Sequence, residues 1–245
     1  MDKSLQYGGQ LPLVTPATEE RAAYNEIVQM YSDAFTGKSN TKIAILKSEL
    51  RSEVVLGPGT NSIEWNVRAD QPNPGMQVIR NTENRLDIND AFACRELSIQ
   101  FGIQADADVA GRTSLHTFEN ARVFPTASPA ILTAYNGKLS MEVNTVKFMD
   151  GLGAQAFRFV DTAQQGQALS TVALTGITSD SAQNNKAPFV TMVPQFHVRG
   201  SDKTQFRLSL PDTAVFTEEG FIITAVMILR GLRIQNGGTY RTASR

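Results

Sequence analysis

Apolar and polar residues change their spacing once along this chain. In the first part, Tyr24, Ile27, Val28, Tyr31 and Phe35 follow the i, i+3, i+4, i+7, i+11 spacing of a single helical stripe. Thr15 can cap such a helix, and Pro16 suits its first position. Glu19 and Glu20 fall where the helix dipole favours negative charge, and Gly37 is a natural stop. Beyond Gly37 the period drops to two. Ile43 and Ile45 alternate with Lys42 and Ala44. Val54 and Leu56 lead into the turn residues Gly57 to Asn61, and Ile63, Trp65 and Val67 alternate beyond it, which predicts a hairpin with one buried face. Leu86 and Ile88 alternate with Asp87 and Asn89.

The clearest strand carries Leu97, Ile99, Phe101 and Ile103. Further on, Ile131 to Tyr135 runs through Asn136-Gly137 into Leu139, Met141 and Val143. Asn-Gly between two such runs predicts a tight hairpin, because a type I′ turn needs positive φ at both positions. Phe157 with Phe159, Phe196 with Val198, and Phe206 with Leu208 and Leu210 mark later strands. Residues 161–187 read as a polar excursion with one short strand near Val172 to Leu174. Phe221 to Ile234 is a continuous apolar run, the mark of a strand buried on both faces or in mid-sheet.

Roughly eight to ten strands separated by turn signals predict an all-β sandwich or barrel. Helices do not alternate with strands, which disfavours a parallel α/β sheet. The organisation expected is an arm and helix over 1–37, a β-sandwich over 38–236 and a tail over 237–245. At 245 residues the chain is long enough to bury a large core without staples.

Composition narrows the function. Hydrophobic residues make up 41% and charged residues 19%, with a formal net charge of −1, so no global field points to nucleic acid or an anionic membrane. The start of the chain lacks the apolar core of a signal peptide, and Phe221 to Leu229 is about half the length of a membrane helix, so a protein made in the cytoplasm is expected. The single cysteine, Cys94, excludes a disulfide within the chain and a cysteine-based zinc site; it reads as a small buried residue. His116 and His197 read as ordinary sheet residues, too few for a histidine metal site.

No nucleophile elbow or phosphate loop is present. Asp87 with Asp90, and Asp106 with Asp108, are close carboxylate pairs, but calcium asks for more oxygen ligands than either supplies. The expectation is therefore no enzyme, no cofactor and no metal. Arg230, Arg233, Arg241 and Arg245 give the C-terminus a basic character, and Arg241 and Arg245 are candidate phosphate contacts. The helix stripe of Tyr24, Ile27, Val28 and Tyr31 needs a partner, either the chain's own sheet or a neighbouring subunit, and is the candidate subunit contact.

The arm and helix, the stretch from Leu132 to Asn144, and the later stretches Gln205 to Pro211 and Ile228 to Asn236 together resemble jelly-roll capsid proteins of tailless icosahedral bacterial viruses, over about residues 40–236. The likeness lies in style and strand order, without a diagnostic motif. It implies a jelly-roll-type antiparallel β-sandwich with one N-terminal amphipathic helix; such subunits carry one jelly roll or two, and a strand as long as Phe221 to Ile234 favours one here, with a compact double roll as the alternative. It also implies a virion subunit, made in the host cytoplasm, whose partners are copies of itself and other virion proteins. The alternative is a non-catalytic binding module, a carbohydrate-binding or adhesin-like sandwich.

Overall fold

The computed structural model describes residues 18–32, 42–67, 86–106, 114–160 and 188–238. Helix α1 (Thr18–Met30) comes first, followed by strands β1 (Ala44–Leu56), β2 (Thr60–Asn66), β3 (Ala91–Ala105) and the short β4 (Ser114–His116). Helix α2 (Ser128–Tyr135) separates these from β5 (Lys138–Val143) and β6 (Val146–Gly153), which ends in a 3₁₀ turn, Ala154–Phe157. Strands β7 (Val190–Arg199), β8 (Thr204–Ala214) and β9 (Phe221–Gln235) complete the order.

The strands form two antiparallel sheets. A five-stranded front sheet runs β1-β9-β3-β4, with β7 also pairing β3, and a four-stranded back sheet runs β2-β8-β5-β6. The pairings nest: β1 with β9, β2 with β8, β3 with β7 and β5 with β6. Successive nested pairs alternate between the front and back sheets.

One core lies between the sheets. Leu97, Ile99 and Phe101 of β3 and Ile223, Ala225, Met227 and Leu229 of β9 face Ile63, Trp65, Phe206, Leu208, Leu139 and Met141 of the back sheet. Trp65 is fully buried, and its indole Nε1 donates to the carbonyl of Ala225 at 3.1 Å, tying one sheet to the other. Tyr135 reaches across from α2 to the carbonyl of Ile99 at 3.3 Å. As its apolar run predicted, β9 is the central strand of the front sheet, flanked by β1 and β3.

Several local expectations are corrected. Ile43, Ile45, Val54 and Leu56 belong to one region, because Ala44 to Leu56 is a single strand in unbroken register with β9. The turn at Gly57 to Asn61 does not close a hairpin: β1 pairs β9 and β2 pairs β8, so the turn carries the chain from the front sheet to the back sheet. Leu86 to Asp90 is a turn, not a strand. Asp90 N donates to the Asp87 carbonyl at 2.9 Å, Asn89 N donates to the Asp87 carboxylate at 2.8 Å, and Ile88 is exposed.

Ile131 to Tyr135 is the second half of α2. Pro129 sits in its first turn, and Ala130, Ile131, Ala134 and Tyr135 are buried along one face. Asn136 closes this helix at φ −84°, ψ 0°, so Asn-Gly acts as a helix stop rather than a type I′ turn. Glycine at 137 serves a close approach, because a Cβ there would meet the Ser209 carbonyl oxygen at 2.6 Å. The tight hairpin lies one strand later, at Asn144 (φ 49°) and Thr145 (φ 72°), between β5 and β6. Phe157 lies in the 3₁₀ turn and Phe159 beyond it, so the strand expected there is β6, a few residues earlier. The short strand expected near Val172 to Leu174 lies outside the described residues.

Candidate interaction surfaces

Helix α1 lies on the outer side of the front sheet. Beta alternation puts Ala91 and Ala93 of β3, Leu232 and Ile234 of β9, and Ile43 and Ile45 on this face. Ile27 and Tyr31 are buried among them, and the two alanines leave room for the helix. Tyr24 and Val28 are half-buried. Of the four residues expected to form a subunit contact, the structure therefore seats Ile27 and Tyr31 against the chain's own sheet. At the margin of this contact Glu26 accepts from Gln195 Nε2 at 2.6 Å. His197, opposite Ala93 on β7, has both ring nitrogens buried without a hydrogen-bond partner. Burial pushes its imidazole below the usual value, Glu26 opposing and Arg199 adding to the effect.

The first two arginines of the basic C-terminal stretch are engaged within the fold. Arg230 Nε is 2.9 Å from the Glu49 carboxylate, and its guanidinium lies 3.6 Å from the centre of the Phe189 ring. Arg233 donates from Nε to Asp90 at 2.7 Å and from Nη2 at 2.6 Å, while Asn236 N donates to the other Asp90 oxygen at 2.9 Å. Arg241 and Arg245 lie outside the described residues. The carboxylate pairs do not converge on an ion site either. Asp87 closes its own turn, Asp90 holds Arg233, and Asp108 is not among the described residues. Among those residues no group of three or more His, Cys, Asp and Glu is placed to hold a metal.

At the end of the sandwich where β8 turns into β9, Glu218 reaches back to the start of α2. Its Oε1 accepts from Thr126 N and Ala127 N, both at 2.7 Å, which satisfies donors ahead of the helix with a charge its dipole favours. Glu119 pairs with Arg158. Burial alone would raise the Glu119 carboxyl, but the hydrogen bond and charge of Arg158 outweigh it and hold the group below its ordinary value. His116 packs edge-on against Phe124, with ring centres 5.3 Å apart, and its Nε2 is 3.0 Å from the Ser114 hydroxyl. Cys94 is buried, and burial drives its thiol pKa far up, which disfavours the thiolate at neutral pH.

The sheet edges carry the features that sequence reading missed. In the back sheet, β6 is an edge strand with Val146 and Phe148 exposed. In the front sheet, β1 is an edge strand whose outward side alternates Lys47, Glu49, Arg51 and Glu53. The alternation was visible in the sequence. Strand order places this row at a sheet edge, where Lys47 is exposed and Glu49, Arg51 and Glu53 are half-buried.

No family model matches the chain, and no curated protein matches it. Among solved structures the chain aligns with VP17, a capsid protein of bacteriophage P23-77. The alignment covers 76% of each chain at 13% identity with a TM-score of 0.21.

Proposed function

We propose that this chain is a structural, self-assembling virion protein, an icosahedral capsid subunit built as a single jelly roll and without catalytic function. The observation that carries this reading is the nested pairing of β1 with β9, β2 with β8, β3 with β7 and β5 with β6, split alternately between two sheets. Eight strands paired as one nested hairpin and split between two sheets support a jelly-roll plan, which recurs in viral shells and lectins. A single roll accounts for the long strands. β1, β3 and β9 span 13, 15 and 15 residues, whereas a double roll of this chain length would need many shorter ones.

Because one scaffold hosts many roles, assembly decides between the two uses. A sugar-binding sandwich stacks its ligand on exposed aromatics; the single tryptophan, Trp65, is in the core, tied to Ala225, and the exposed rings include Phe148 of β6 and Phe221 of β9. In the shell reading the partners are further copies of this chain and other virion proteins, and the location is the virion. Light scattering with negative-stain imaging of the purified protein across salt and concentration tests it. Closed shells, sheets or rings support a shell subunit. A stable monomer in every condition overturns it in favour of the binding module.

A further inference from the structure

Every edge strand but one, among the described residues, is interrupted. β6 carries two register shifts against β5 and a glycine, Gly151, at φ +78°. β2 shifts register between Thr60 and Ser62. β4 is three residues long. β7 contains Pro194, which lacks a backbone donor, and β3 shifts register against it between Cys94 and Glu96. Short strands, bulges and prolines are the usual means of preventing a sheet edge from recruiting another strand. β1 has none of them. It runs 13 residues in unbroken register with β9, without proline or glycine.

The sequence of β1 is also complementary to its own reverse. Lying antiparallel to a second copy and centred on Leu50, it sets Lys47 opposite Glu53, Glu49 opposite Arg51, Ser48 opposite Ser52, Leu46 opposite Val54 and Ile45 opposite Val55. Each pair occurs twice by symmetry. Opposite charges directly across a strand pair stabilise it, and like charges destabilise it.

Neighbouring registers are penalised. Only slips by an even number of residues keep core-facing positions on the core side. A slip of two in one direction sets Glu49 against Glu49 and Lys47 against Arg51. In the other direction it sets Arg51 against Arg51 and Glu49 against Glu53.

We propose that β1 pairs with β1 of a second copy about a two-fold axis at Leu50, joining the two front sheets into one continuous antiparallel sheet. The contact is isologous, the commonest way for identical subunits to associate, and main-chain hydrogen bonds along the joined edges supply its core. Within one chain Glu49 already holds Arg230, and Arg51 Nε is 2.5 Å from Glu53 Oε1. Pairing extends these into a charge ladder across the axis, which the several donors of each guanidinium can serve. The dimer deepens the self-assembly proposed above by naming its partner and geometry.

Two charge variants test it. One, Glu49→Lys with Glu53→Lys, makes the outward row of β1 wholly positive. The other, Lys47→Glu with Arg51→Glu, makes it wholly negative. Circular dichroism first establishes that both fold. The smallest species of the native protein is expected to have twice the monomer mass by light scattering. Each variant alone is expected to be monomeric, and an equimolar mixture should restore the dimer.

Register is read separately by mixing a Ser48→Cys chain with a Ser52→Cys chain under mild oxidation, the buried Cys94 staying out of reach. Directly opposed residues in an antiparallel pair have Cα atoms about 4.5–5.5 Å apart, within disulfide range. The mixed disulfide is expected, and a Ser48→Cys chain should not link to itself. A native monomer, charge variants that self-associate as the native protein does, a mixture that stays monomeric, or self-linked Ser48→Cys chains each overturn the proposal. Shells that form undiminished from the single-sign variants would refute the β1 contact and leave the virion role standing. Dimers that never grow larger would do the reverse.

Discussion

Replacing Asp90 by alanine should unlatch the end of the central strand β9. Asp90 is 6% exposed, and its carboxylate receives two donors from Arg233 and the backbone N–H of Asn236. Its own carbonyl receives Gly200 N at 2.9 Å, so one residue ties the start of β3 to the end of β9 and to the β7–β8 loop. A hydrogen bond to a charged group contributes about 1.5–3 kcal/mol net, and the Asn236 bond, like those of Arg233, ends on the carboxylate. The Arg233 side chain is 26% exposed, so its pair belongs at the lower end of that range. Adding the Asn236 bond and the cost of leaving Arg233 without its counter-ion gives a loss of about 3 kcal/mol. For a domain of this size that is a fall in Tm of about 6–12 °C. The assay is urea unfolding followed by circular dichroism on Asp90→Ala, Arg233→Met and the double variant, with an expected coupling of about 1.5 kcal/mol. A loss below about 1 kcal/mol, or strictly additive single variants, would refute the latch.

Three further outcomes follow from named contacts. His197 is held below its ordinary 6.5 by burial, so the unfolded chain takes up its proton more readily than the folded one. Its contribution to stability is complete above pH 6.5 and declines as pH falls below it, and His197→Gln should flatten part of that decline in unfolding curves between about pH 5 and 7.5. The Cys94 thiol, raised by burial, should ignore a thiol reagent in the native protein and react once urea unfolds it, and rapid native labelling would contradict its placement. Gly231→Ala should cost about 1–3 kcal/mol by overpacking. Its Cβ would fall 1.9 Å from the Ala93 carbonyl oxygen, and an unchanged unfolding midpoint would show that β3 and β9 do not approach as described.

Much of the sandwich was legible because alternation reports burial directly. β3, β8 and β9 lie where Leu97, Phe206 and Phe221 mark them, and Trp65 faces the core as its strand position requires. Errors arose where one local signal serves two structures. Asn136-Gly137 can end a helix as well as turn a hairpin. Pro129 and the long reach of Glu218 tipped residues 128–135 to helix, and only Pro129 is local in sequence. The glycine-rich turn after Leu56 was correctly read as a turn. Whether its flanking strands pair with each other depends on β8 and β9, more than 140 residues away, and no local pattern encodes that. The same holds for the edge position of β1. Its alternating charges mark a sheet border only once the strand order is known.

The nested pairing also fixes an order of events at the ribosome. The strand that joins β1 to β3 is β9, residues 221–235, and among the described strands it is the last to be synthesised. Until it emerges, β1 and β3 have no common neighbour, and Leu50, Leu97 and Phe101 lack the strand that runs between their own. Pairing partners this far apart in sequence make closure slow and leave apolar edges open while it waits. Translation that stops short of residue 221 therefore yields a polypeptide with its front sheet split in two, a substrate for chaperones and for aggregation rather than a smaller version of the fold.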